Sequence, residues 1–175
     1  MKSHAVKHAS FTLERSYEAT PARVFAAWSN AESKRRWYFC DDRWVLTEHV
    51  FDFRIGGVER LKVSPPSGAV HAFDGLYYDI VPDRRIIYSY DMHVGGDRIS
   101  VSLATIELSP VNGGTRLVFT EQGVFLDGLA SPEEREEGTA VGLDNLGAHL
   151  RGEPLRGAPL QTEPPRGGPR RETLH

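Results

Sequence analysis

Two hydrophobic periods divide this chain. Seven runs rich in β-branched and aromatic residues come first, and a helical spacing of three and four follows them. Residues 9–19 carry Phe11, Leu13 and Tyr17 among polar neighbours at a rough period of two, which predicts a first strand. Thr20-Pro21 then opens a short helix, with Thr as cap, Pro at the first helical position, and Val24, Phe25 and Trp28 on the buried face. Asn30 caps a second short helix over residues 31–37. Further strands are predicted over 44–54, 58–63, 70–81, 86–92, 99–108 and 115–121. Gly56-Gly57, Pro65-Pro66-Ser67-Gly68, Pro82-Asp83, Gly95-Gly96-Asp97 and Asn112-Gly113-Gly114 separate them, a spacing that reads as an antiparallel meander.

The pattern then changes. Ser131-Pro132-Glu133-Glu134 combines a Ser cap, a Pro at the first helical position and a Glu three residues after the cap. Thr139, Leu143, Leu146 and Leu150 follow on one narrow apolar stripe. A single amphipathic helix after a run of antiparallel strands has one place to bury that stripe, the concave face of the sheet. The expected fold is therefore α+β: a curved antiparallel sheet wrapped around a long C-terminal helix, with two short helices after the first strand. The folded domain is expected over residues 8–151. Residues 152–175 hold five Pro, four Gly and four Arg with few large apolar side chains, so a disordered tail or a Pro-rich docking segment is expected there.

Composition narrows the function classes. A net charge of −3, with basic and acidic residues mixed along the chain, gives no reason to expect nucleic acid or an anionic membrane as partner. One cysteine excludes an internal disulfide and suits a reducing compartment. No signal-peptide core or membrane-spanning run is visible, and a cytoplasmic monomer or homodimer is expected.

The order and spacing of several short motifs carry a family resemblance. They are Pro21 through Trp28, Arg36-Trp37, Phe51-Asp52-Phe53-Arg54-Ile55-Gly56-Gly57, Phe73-Asp74-Gly75-Leu76-Tyr77, Ile80 through Tyr88, Gly113-Gly114-Thr115-Arg116-Leu117, and Gly138 through Leu150. Over residues 9 to 150 the chain resembles the START-like helix-grip (SRPBCC) superfamily, and within it the bacterial homologues of the heat-shock-protein-90 ATPase activator. The resemblance implies the same helix-grip fold and a ligand cavity between sheet and helix. Where that family often carries aromatics, this chain has Thr139 and Val58-Glu59-Arg60, which predicts a larger or more polar cavity.

Candidate chemistry is sparse. No Gly-x-Ser-x-Gly elbow, phosphate-cradling glycine loop or Cys-x-x-Cys pair occurs. The seven histidines form no strand-compatible His-x-His pair, and neither a metal nor another cofactor is expected. The expected lining of the cavity is Trp28, Trp37, Phe73, Tyr77, Tyr88, Tyr90, Leu143 and Leu146, and the expected partner is a small, largely apolar molecule. Trp28, Trp37 and Trp44 either gate the cavity mouth or fasten the short helices to the sheet. His71, Tyr77 and Glu121 are the candidates for acid–base work on an enolisable substrate, of the cyclase or dehydratase kind that the superfamily includes. Arg54 with Glu121 forms either a structural ion pair or a tuned carboxylate, and Cys40 is either a reactive thiol or an inert one. A co-chaperone-like interaction module is a third possibility, implied by the family's name.

Overall fold

A computed structural model describes residues 4–38 and 43–155. Cys40 and the tail beyond residue 155 lie outside the described residues. The elements run β1 (Val6–Tyr17), α1 (Pro21–Ser29), α2 (Ala31–Tyr38), β2 (Val45–Phe51), β3 (Val58–Ser64), β4 (His71–Val81), β5 (Arg85–Val94), β6 (Asp97–Val111), β7 (Gly114–Leu126) and α3 (Pro132–Arg151). The sheet order is β1-β7-β6-β5-β4-β3-β2, antiparallel throughout. The five strands after β2 form a plain meander, and β1 returns to close the far edge against β7.

The helix boundaries follow the cap chemistry. The Thr20 hydroxyl accepts from Arg23 N at 3.3 Å, and Asn30 Oδ1 accepts from Ser33 N at 3.0 Å. Ser131 Oγ accepts from Glu134 N at 3.0 Å, and Gly152 ends α3 in the left-handed conformation. The strands depart more from expectation. Strand β7 runs on to Leu126 through Gly123, and β6 runs on to Val111 through Pro110. Each residue added finds a ladder partner: Val6 pairs with Leu126 and Val111 with Gly114. Strand β2 instead stops at Phe51, because Asp52 to Gly57 form the turn.

Side chains alternate along the strands, and the concave face gathers Leu61, Val63, Phe73, Tyr77, Tyr88, Tyr90, Met92, Ile106, Leu117 and Phe119 into one core. Leu143 and Leu146 of α3 enter that core from above, at 1% and 0% exposure. Helices α1 and α2 close one end with Trp28 edge-on to Trp37, ring centroids 4.7 Å apart. Among the described residues no helix is long and apolar enough to cross a membrane.

Candidate functional site

Among the described residues, four charged side chains lie inside this core. On α2, Lys34 sits one turn before Trp37 and shares its buried face. Its Nζ donates to Glu59 Oε2 at 2.6 Å and to the Tyr77 hydroxyl at 3.3 Å, while that hydroxyl donates to the same Glu59 oxygen. The ammonium also stands 5.4–5.9 Å from the ring centroids of Trp28, Tyr38, Phe51, Tyr77 and Tyr88. A cation drawn from water is stabilised here by one carboxylate and by the negative faces of five rings. Burial, and then the Glu59 charge, push the Tyr77 hydroxyl far above the ordinary tyrosine range.

The second network hangs from α3. Arg135 reaches down between the strands and donates to the Tyr90 hydroxyl at 3.0 Å, Glu121 Oε1 at 3.2 Å, Ser100 Oγ at 2.7 Å and Ser102 Oγ at 3.5 Å. Tyr90 donates to the same Glu121 oxygen at 2.7 Å, and Glu121 Oε2 has no partner. Burial works against the Arg135 cation, but the Tyr90 and Glu121 oxygens outweigh it and hold its pKa above the ordinary arginine value. Burial likewise raises the Tyr88 and Tyr90 hydroxyls, so both remain protonated donors.

The two networks meet at a cavity of about 40 Å³ between the sheet and α3. Trp28, Tyr38 and Tyr88 of the Lys34 cage line one side, Tyr90 and Arg135 the other, and Gly138, Thr139 and Gly142 of α3 form the roof. Of the residues expected there, Trp28, Trp37, Tyr88, Tyr90 and Leu143 border the space. Phe73, Tyr77 and Leu146 do not. Phe73 lies stacked beneath Tyr90, Tyr77 is tied to Glu59, and Leu146 is packed fully into the core. Trp44 packs on His71, 5.0 Å between centroids, away from the other two tryptophans.

The acid–base candidates are scattered. Side chains 71 and 77 share the inner face of β4, as the strand period requires, but His71 packs at the far end of the strand and does not line the cavity. Its Nδ1 has no partner, and burial lowers its pKa from 6.5. Glu121 adjoins the cavity wall through Arg135. The expected Arg54–Glu121 pairing does not form: Arg54 is exposed in the β2–β3 turn and binds Asp52 at 2.8 Å, near the opposite edge of the sheet.

The cavity beside Thr139 is small, at about 40 Å³. Glu59 points inward from β3 with Lys34 bound to it, and the Thr139 hydroxyl donates to the Arg135 carbonyl one turn back at 2.9 Å. One group among the described residues, Asp74, Asp91 and His93, brings metal-ligating atoms within 4.8 Å of one another. Arg60 and Arg98 already occupy those carboxylates, at 3.2 and 2.8 Å.

Sequence reasoning missed Lys34, Glu59 and Arg135. A signal for each was present, because each lies in phase with an apolar period. Arg135 is one turn before Thr139 on the α3 stripe, and Glu59 precedes Leu61 and Val63 on the inner face of β3.

A curved antiparallel sheet closed by one long helix, with an aromatic-walled space between them, is the helix-grip architecture of START-like proteins. The family model described as Activator of Hsp90 ATPase homolog 1-like protein matches residues 18–152, and the chain belongs to that family. Among solved structures it is similar to a Rhizobium leguminosarum protein at 48% identity and TM-score 0.82, covering 86% of this chain and 99% of that one. A Rhizobium loti protein is 45% identical, with TM-score 0.78 and coverage of 83% and 99%. A Chromobacterium violaceum protein is 26% identical, with TM-score 0.68 and coverage of 81% and 96%. No curated protein is significantly similar to the chain.

Proposed function

We propose that this protein binds a small, largely apolar molecule between the sheet and α3. The observation that carries the reading is the cavity itself, an apolar space walled by aromatic rings and bordered by one buried guanidinium. At about 40 Å³ it holds only a few waters as it stands, well below the ~300 Å³ of an ordinary small-molecule site. Binding therefore requires the rings to turn or the first half of α3 to lift. Burial drives the binding, at ~0.8 kcal/mol for each methylene removed from water.

Native mass spectrometry of the purified protein tests this. The expected result is a small-molecule adduct that disappears on denaturation, together with weakened binding in Leu143→Trp, whose indole takes the ligand's space. No adduct, and no binding of ethylbenzene or acetophenone in solution, rejects the reading.

Glu121 favours a second reading, an enzyme of the cyclase or dehydratase kind. Its carboxylate is buried, has one unpartnered oxygen, and adjoins the cavity wall through Arg135. In that case Glu121 takes the proton from an enolisable substrate. Neither Tyr77, whose hydroxyl is committed to Glu59, nor the distant His71 takes part. Loss of turnover in Glu121→Gln with the fold retained supports it. The family description adds a co-chaperone role, checked by whether the protein stimulates a chaperone ATPase. We place the protein in the cytoplasm, as a monomer or homodimer without a nucleic-acid or membrane partner, in keeping with its single cysteine and its charge of −3.

A further inference from the structure

Among the described residues that line the cavity, one side-chain N–H has no acceptor. Trp37 donates its indole N–H to the Ala27 carbonyl at 3.0 Å, but Trp28 Nε1 has no partner although the residue is only 2% exposed. A buried donor left unpaired is destabilising, so a ligand oxygen that meets it gains what the folded protein lacks. Lys34 Nζ stands 5.7 Å over the same indole and polarises the ring. The other N–H group bordering the space, the Arg135 guanidinium, is already committed to Tyr90, Glu121, Ser100 and Ser102. Of these three side-chain N–H groups, that of Trp28 is the unpaired one.

The charge around the cavity selects further. Lys34 is neutralised by Glu59 and Arg135 by Glu121, while Glu134 at the rim has no ion-pair partner among the described residues. An anion entering here meets one uncompensated negative charge and no uncompensated cation. Resting on the cavity reading above, we infer that the ligand is a neutral, flat molecule carrying a carbonyl-type acceptor, whose oxygen receives the Trp28 indole N–H. Carboxylates of the same shape are excluded.

Three probes of matched shape test this: acetophenone, ethylbenzene and benzoate, titrated by calorimetry and by ¹H–¹⁵N spectra of the full chain. Acetophenone is expected to bind about tenfold more tightly than ethylbenzene, the value of one neutral hydrogen bond, and benzoate to bind weakest. In Trp28→Phe, acetophenone is expected to fall to the level of ethylbenzene, while ethylbenzene keeps its affinity. In the unsubstituted protein the Trp28 indole N–H resonance is expected to move downfield with acetophenone and not with ethylbenzene, a readout that needs no variant to fold. Equal binding of those two, preference for benzoate, or an indole resonance indifferent to bound acetophenone overturns the inference and leaves the cavity reading standing. Failure of all three probes to bind removes the cavity reading, and this inference with it.

Discussion

Replacing Arg135 by methionine isolates the largest buried electrostatic commitment in the fold. The side chains of Arg135 and Glu121 are 7% and 1% exposed, so neither charge has water to return to when its partner is removed. Arg135→Met keeps most of the side-chain volume but deletes the donor to Glu121, Tyr90, Ser100 and Ser102. It also removes the cation over the Tyr90 and Phe125 rings. Removing one member of a buried pair costs roughly 3–5 kcal/mol. The Tyr90 hydroxyl still donates to Glu121 in the variant, which argues for the lower half of that range. In a protein of this size each kcal/mol moves Tm by about 2–4 °C, so a fall of roughly 6–16 °C is expected.

The double variant Arg135→Met with Glu121→Met decides whether the cost is the stranded charge or lost packing. Replacing both members by apolar groups is often close to neutral, so the double variant is expected to be more stable than either single one. Urea unfolding of the four proteins gives the coupling directly. Additive losses, or a single-variant cost below about 1 kcal/mol, refute the reasoning, because the pair then owes nothing to its burial.

Burial lowers the His71 pKa below 6.5, so the folded state favours the neutral imidazole. The stability this contributes is complete above pH 6.5 and is lost as pH falls through the folded-state value. An NMR titration of the His71 ring is expected to give a midpoint below 6.5, and a midpoint at or above it refutes the assignment. In the β2–β3 turn, a Cβ on Gly57 stands 2.1 Å from the Asp52 carbonyl oxygen, whereas one on Gly56 meets nothing and faces only a φ of +80°. Gly56→Ala is expected to cost about 1–2 kcal/mol for the left-handed conformation, and Gly57→Ala clearly more, since backbone must move. The reverse order in urea unfolding contradicts this account.

The fold was legible because each element announces itself locally. Thr20-Pro21, Asn30 and Ser131-Pro132 start the helices where the structure starts them, since a cap needs only its own next turn. Strand ends were not legible in the same way. The expected strands ended at residues 108 and 121, yet β6 and β7 run on through Pro110 and Gly123 because each has a ladder partner across the sheet, and pairing outweighs local propensity. The site was legible by residue type and not by depth. Trp28, Tyr88, Tyr90 and Leu143 were readable as wall because apolar period and inner face coincide.

The charges were harder for a physical reason. A Lys, Glu or Arg in phase with an apolar period reads as a helix or strand fraying toward water, and only its partner shows otherwise. Glu59 and Lys34 are 25 positions apart, and Arg135 and Glu121 lie on different elements that meet only when α3 docks. Each charge is intelligible once the other is buried with it, and neither is intelligible alone. The two pairs also explain why the space under α3 is small. The space between sheet and helix is taken up, on one side, by an ammonium enclosed by five rings and, on the other, by a guanidinium bound to four oxygens. Between these two cations the wall keeps one unpaired indole N–H, that of Trp28, and one unpaired carboxylate oxygen, Glu121 Oε2.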